Sequence, residues 1–277
     1  MTEMKESRTA LGVAWMRAIH QVLDSKPLIL EDEPIVELLG RYYVERGASA
    51  TERFQAPGAR MLRSHVVLRS RYTEERLAQS IARGVEQFVI LGAGYDTFFA
   101  RQPDWASRLR IFEIDQPATQ ADKLARISAA RLNVPKNVVF GSVNFEVESV
   151  AEGLRRHGVR FDVPTVFSWL GVTMYLTEPA IDATLATVLS FPKESEIVLT
   201  FATREGADPT ALATAAAAIG EPWLTYFEPE EIERKLLGAG FSGVQLVTPE
   251  IAERRYFAGR ADNLPLPRKT SLLSALV

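Results

Sequence analysis

Apolar residues recur at helical spacing over residues 9–23, with Leu11, Ala14, Trp15, Ala18, Ile19 and Leu23 sharing one face. Pro27 and residues 32–34 break that helix, and a second helical run over 35–44 stops near Gly47. A loop at 55–58 precedes a long helical run over 59–83 that carries Arg60, Arg63, Arg69, Arg71 and Arg76. No strand pattern occurs before Phe88, so the first third reads as a helical cap over the open end of a sheet. From there the pattern alternates strand and helix. Phe88 to Leu91 is a continuous apolar run, the mark of a strand buried on both faces. Residues 110–115 form the second strand, with Phe112 on one face, Ile111 and Glu113 on the other, and Asp115 at its carboxyl end. Helices over 118–132, 147–158, 177–189 and 229–240 separate strands at 137–141, 165–169 and 196–201, and strands at 244–247 and 255–258 close the pattern. The tail from Ala261 holds two prolines and shows no partner.

The first strand runs into Gly92-Ala-Gly94, where missing side chains let a ligand approach the backbone. Asp96 and Thr97 come next, placed to cap a helix through Phe98, Phe99 and Ala100. A ligand at this turn would lie over exposed amides and a helix N-terminus; the alternative is a tight turn and nothing more. A dinucleotide turn wants glycine or alanine where this chain has Thr97, and the Asp96 carboxylate would face a pyrophosphate. The turn instead suits a ligand with an ammonium group and a ribose, such as S-adenosylmethionine. Asp115 stands about 20 positions past the first glycine, the spacing at which ribose hydroxyls are held; a cap on the next helix is the other reading. The arginine-rich helix is either a solvated face or the source of a guanidinium, Arg69 or Arg71, that pairs with a ligand carboxylate.

Composition narrows the classes. A net charge of -3 over 277 residues argues against a nucleic-acid partner, and no apolar run reaches the length of a membrane span. The absence of cysteine excludes disulfides and thiolate chemistry and fits a cytoplasmic setting. The start, Met1-Thr-Glu-Met-Lys-Glu-Ser-Arg8, lacks the apolar core of a secretion signal.

The segments Ser7-Arg-Thr-Ala10, Leu68-Arg-Ser-Arg-Tyr72, Phe88-Val-Ile-Leu-Gly-Ala-Gly-Tyr-Asp-Thr97, Phe112-Glu-Ile-Asp-Gln-Pro117 and Ser168-Trp-Leu-Gly-Val-Thr-Met-Tyr-Leu176 occur in this order. With them the chain resembles the leucine carboxyl methyltransferase superfamily, in its branch of bacterial, polyketide-type O-methyltransferases and mycobacterial relatives. The resemblance implies an α/β, Rossmann-like class I methyltransferase: a seven-stranded, mostly parallel sheet with an antiparallel last pair and an N-terminal helical cap. It implies one domain over residues 1–277, with the cap at about 1–83, the core at about 84–260 and a tail at 261–277. S-adenosyl-L-methionine is the implied cofactor. Gly92, Ala93 and Gly94 would lie beneath its methionine part, with Asp96 beside them. Arg71 or Arg69 would clamp its carboxylate, Asp115 would hold the ribose, and Asn144 and Phe145 would flank the adenine. Asn144 departs from the family's usual aspartate, yet an amide carbonyl still accepts a hydrogen bond from the adenine amino group. Leu170 near the cofactor matches the bacterial branch, where the eukaryotic protein methyltransferases have glutamate.

The implied reaction is O-methylation of a carboxylate or hydroxyl on a small molecule, with no metal. A carboxylate needs no base, whereas a hydroxyl benefits from one. Tyr175 and His65 are the candidates; each is also readable as packing, as are Trp223, Tyr226 and Phe227, which could line an acceptor pocket. Two other classes stay open. A nicotinamide-dependent oxidoreductase shares the sheet, the glycine turn and the acidic ribose residue. A non-catalytic ligand-binding protein could keep the fold. The sequence leaves the oligomeric state unassigned.

Overall fold

The computed structural model describes residues 6–49, 52–145, 147–204, 211–262 and 264–277. Most of the stretch read for a secretion signal, residues 1–5, lies outside these. The cap consists of α1 (Arg8–Leu23), α2 (Glu33–Leu39), α3 (Arg41–Ser49), α4 (Glu52–Gln55) and α5 (Pro57–Ile81). The helical run expected over 35–44 is split at Gly40, whose φ of 87° belongs to the left-handed region that favours glycine. The loop expected at 55–58 shrinks to a corner at Ala56, because Pro57 fits the first turn of α5 and starts it early.

Among the described residues the sheet has seven strands in the order β3-β2-β1-β4-β5-β7-β6. They are β1 (Gln87–Leu91), β2 (Arg110–Asp115), β3 (Val138–Ser142), β4 (Thr165–Trp169), β5 (Glu196–Thr200), β6 (Gly243–Leu246) and β7 (Leu272–Leu276). The first five are parallel, and β7 runs antiparallel to both β5 and β6. Strand alternation divides the core. Val89, Leu91, Phe112, Ile114, Phe167 and Leu199 pack on one face against α7 (Val150–Arg156), α8 (Glu178–Leu189) and, beyond α9 (Ala211–Ala218), α10 (Pro229–Ala239). On the other face Phe88, Ile90, Ile111 and Val166 meet Leu77 of α5, while Val198 and Leu272 meet Val67, Leu68 and Tyr72. Helix α6 (Pro117–Ala129) joins β2 to β3.

Two expectations about elements fail. The strand expected at 255–258 is instead a π-helical turn, Glu253–Phe257, directly after the short helix α11 (Pro249–Ala252). Arg255 Nη2 and the Tyr256 hydroxyl both reach Glu75 Oε2, each at 2.6 Å. Neighbouring side chains on one side are a helical arrangement that a pleated strand cannot make. The last strand is β7, inside the segment read as a tail. Leu273 and Ala275 enter one core face, Leu272 enters the other, and Ser274 Oγ lies 3.0 Å from the Tyr72 hydroxyl. Both faces of the sheet are covered here, so β7 is buried on both sides and its apolar run carries no alternation to read.

Candidate functional site

At the carboxyl ends of the parallel strands, β1 stops at Leu91 and the chain turns at Gly92 (φ 70°) and Gly94 (φ 50°). A Cβ on Gly92 would come within 2.3 Å of Val172 Cγ2, and one on Gly94 within 3.3 Å of the Ala10 methyl. The turn therefore lets the loop after β4 and the start of α1 close over it. Both Asp115 oxygens are engaged by backbone: Oδ2 accepts from Gly94 N at 2.5 Å and Oδ1 from Gln116 N at 2.7 Å. Burial pushes the Asp115 carboxyl up, against the pull of these two amides. Asp96 Oδ1 accepts from Phe98 N at 2.7 Å, so Asp96 alone acts as the cap. The element it caps is one 3-10 turn, Phe98–Ala100, rather than the expected helix.

Thr97 turns inward instead of capping. Its hydroxyl accepts from Arg17 Nη2 at 2.7 Å and donates to Asp32. Asp32 also pairs with Arg17 and, at 3.3 Å, with Arg101, whose Nη1 binds Glu74 at 2.6 Å. Arg17 Nη1 stands 3.6 Å from Asp96 Oδ2. Burial acts to raise Asp96, but Arg17, Arg101 and Lys123 outweigh it and hold the carboxyl below its ordinary range. Two arginines meet three carboxylates in this cluster, and burial pushes the Glu74 carboxyl up while Arg101 pulls it back.

A cavity of about 780 Å³ opens beside the turn. Arg69, Gly92, Ala93, Gly94, Asp96, Asp115, Asn144, Phe145, Leu170 and Tyr175 all line it. Arg69 lies over Gly171, where a Cβ would sit 2.8 Å from Nη1. No carboxylate of the described residues forms an ion pair with it. Burial and the nearby Arg17 lower its pKa to about 10, which leaves the guanidinium charged at neutral pH.

Two candidates fall outside the cavity wall. Arg71 is half exposed and pairs through Nε with Glu75 Oε1 at 2.8 Å, in a separate groove. His65 is driven down to about 3 by burial and by Arg69, so its imidazole is neutral and a poor proton acceptor at neutral pH. Of the aromatic loop, Pro222 and Leu224 reach the wall, Trp223 and Tyr226 do not, and Phe227 is buried with the core of α10.

Two residues that matter here, Arg17 and Glu221, are not among those the sequence singles out. Arg17 is 4% exposed, which its place in an apolar helix could have flagged, since a buried arginine needs partners. Glu221 crowns the start of α1, accepting from Arg8 N at 2.7 Å, Thr9 N at 3.3 Å, Ser7 Oγ at 3.1 Å and the Thr9 hydroxyl. A carboxylate there also meets the positive end of the helix dipole. Ser7 N donates to Thr119 Oγ1 at 3.0 Å, so residues 6–10, which line the cavity, are held by both Thr119 and Glu221. Contacts 214 residues apart leave no local signal.

Comparison with known proteins gives these surroundings a context. A family model described as leucine carboxyl methyltransferase matches residues 10–189. YktD of Bacillus subtilis (strain 168), named by inference as an S-adenosyl-L-methionine-dependent methyltransferase, is 30% identical over 95% of this chain and 95% of its own. Rv3399 of Mycobacterium tuberculosis (strain H37Rv), named by the same inference, is 30% identical over 66% of this chain; the match spans 55% of that longer protein. Among solved structures, a DUF574 family protein from Streptomyces avermitilis shares the fold with a TM-score of 0.61 at 16% identity, over 94% of this chain and 96% of that one. A Thermobifida fusca protein, described by inference as a methyltransferase, has a TM-score of 0.55 at 17% identity, over 98% and 95%.

Proposed function

The chain belongs to the leucine carboxyl methyltransferase family, and from that premise we infer that it uses S-adenosyl-L-methionine to methylate a carboxylate or hydroxyl oxygen of a small molecule. The observation that carries the reading is the charge layout of the cavity. A buried Arg69 with no carboxylate partner among the described residues and Asp96, the carboxylate of the neighbouring cluster that faces the cavity, share the same wall. This layout complements a zwitterionic amino-acid head: the planar guanidinium takes the carboxylate and Asp96 the ammonium. Gly92, Ala93 and Gly94 supply a bed without side-chain bulk. Asp115 has lone pairs left for ribose hydroxyls, while Asn144 and Phe145 flank the adenine and Leu170 closes the wall.

Bound there, the cofactor supplies a methyl group already activated by its sulfonium, so the chain has to orient the partners and exclude water. The strap over residues 6–10, latched by Glu221, serves the exclusion. Tyr175, which lines the same cavity as Leu176 and Leu224, is our candidate for contacting the acceptor. His65 has no part in the reading, because it is neutral and off the wall. We read residues 1–277 as one methyltransferase domain and, lacking cysteine, as a protein of the cytoplasm.

Calorimetric titration with S-adenosylmethionine, S-adenosylhomocysteine and NADH tests this. The expected result is micromolar affinity for both adenosyl compounds and none for NADH, then methyl transfer to a member of a panel of carboxylic acids and phenols. NADH binding alone would turn the reading to an oxidoreductase. Adenosyl binding without transfer to either acceptor class would leave a binding protein with this fold.

A further inference from the structure

We propose that Arg17 is a positioning residue for the cofactor's amino-acid head: from α1 it holds Asp96 and the corner beside it where Asp96 can take an ammonium group. The proposal rests on the cofactor reading above and adds a residue from outside the strand-and-turn core. Arg17 reaches that corner with two arms, Nη2 on the Thr97 hydroxyl at 2.7 Å and Nη1 toward Asp96 at 3.6 Å. Asp32 fixes the guanidinium from behind and grips the same hydroxyl. The arrangement explains Thr97, which stands where a dinucleotide turn would carry glycine or alanine: its hydroxyl is held from both sides, as neither of those could be.

A plain structural pair joining α1 to the loop before α2 would need Asp32 alone. Arg17 does more, since it lines the cavity and turns its Nη1 toward Asp96. A bare guanidinium there would repel an ammonium. Because Asp32 neutralises Arg17, the negative charge at Asp96 survives for the ligand.

Arg17→Met separates positioning from folding when two ligands are titrated. S-adenosylhomocysteine carries the amino-acid head, and 5′-methylthioadenosine keeps the nucleoside and sulfur without it. The variant should bind S-adenosylhomocysteine about tenfold or more weakly, the scale of a lost charge-assisted contact. Its affinity for 5′-methylthioadenosine should change by less than about threefold, as for a site not coupled to the change. In an Asp96→Asn background, Arg17→Met should cost less than about threefold more, because both changes remove one interaction. Equal losses for the two ligands, or full additivity with Asp96→Asn, would overturn the proposal. Arg17→Lys is measured alongside in case the methionine variant yields too little folded protein; the same split is expected at smaller amplitude, and its absence counts the same way. If the wild-type chain binds neither ligand, the cofactor reading falls and takes this proposal with it; a split that fails in a binding-competent protein sinks this proposal alone.

Discussion

Arg69 and Arg71 stand two positions apart on α5, about 200° apart around the helix, and that rotation decides their fates. Arg69 lines the cavity with no carboxylate partner among the described residues, while Arg71 points to an exposed groove and finds Glu75 one turn on. Arg69→Met should therefore weaken S-adenosylhomocysteine binding by roughly 1.5–3 kcal/mol, the worth of hydrogen bonds to a charged group. Arg71→Met should leave it unchanged, since exposed ion pairs contribute little. Calorimetry on the two variants decides the matter, and a larger loss from Arg71 would reverse the assignment. The thermal midpoint of Arg69→Met should not fall, because a buried charge without a partner burdens the free protein. The sequence left this pair open for a physical reason. Helical periodicity shows that the two face different ways, but not which way the cavity lies.

At the level of elements, β7 is the least replaceable part of the sheet's second half. Among the described residues it is the only strand bonded to β6, and it closes β5 as well. Deleting residues 272–277 should expose two strand edges together with the faces that cover Leu273 and Tyr72. Loss of a cooperative unfolding transition is expected; a truncated chain that still melts sharply would show that β6 is dispensable. This strand also marks the limit of what the sequence discloses. β1, β2 and β4 were legible because each ends at a residue with a distinct chemistry: Gly92, Asp115 and the Leu170-Gly171 turn. β7 ends at nothing distinctive, and its short apolar run comes after a proline-containing stretch that reads as a tail. The glycine turn was read correctly in place but wrongly in consequence, as Asp96 caps a single 3-10 turn. The stretch 6–10 of the cavity lining is held by Thr119 and Glu221, which no local pattern joins to it.

For the whole molecule, two groups, the partly buried His65 and the buried Glu113, make stability depend on pH in opposite directions. His65 is held near 3 in the fold, chiefly by burial and then by Arg69, while its ordinary value is 6.5. Its depressed value means that the unfolded chain takes up a proton first: the fold keeps its full stability above 6.5 and loses it as the pH falls toward 3. Glu113 is pushed up to about 7 by burial, with Lys123 pulling it back, so its contribution is present at low pH and lost as the pH rises through 4.5 toward 7. Between about pH 5 and 6.5 the two partly cancel, and a wild-type profile alone would look flat. The difference between the wild type and His65→Leu isolates the histidine. On acidification from about pH 7.5 to 5, the wild type should lose stability relative to the variant, by up to about 1.4 kcal/mol per pH unit below 6.5. Denaturant unfolding at each pH measures it. Repeating the series with saturating S-adenosylhomocysteine links this behaviour to the cavity. A ligand carboxylate beside Arg69 removes part of the repulsion that keeps His65 neutral, so its folded value rises and the gap between the two proteins narrows. A gap that the ligand leaves unaltered would place the bound carboxylate away from Arg69.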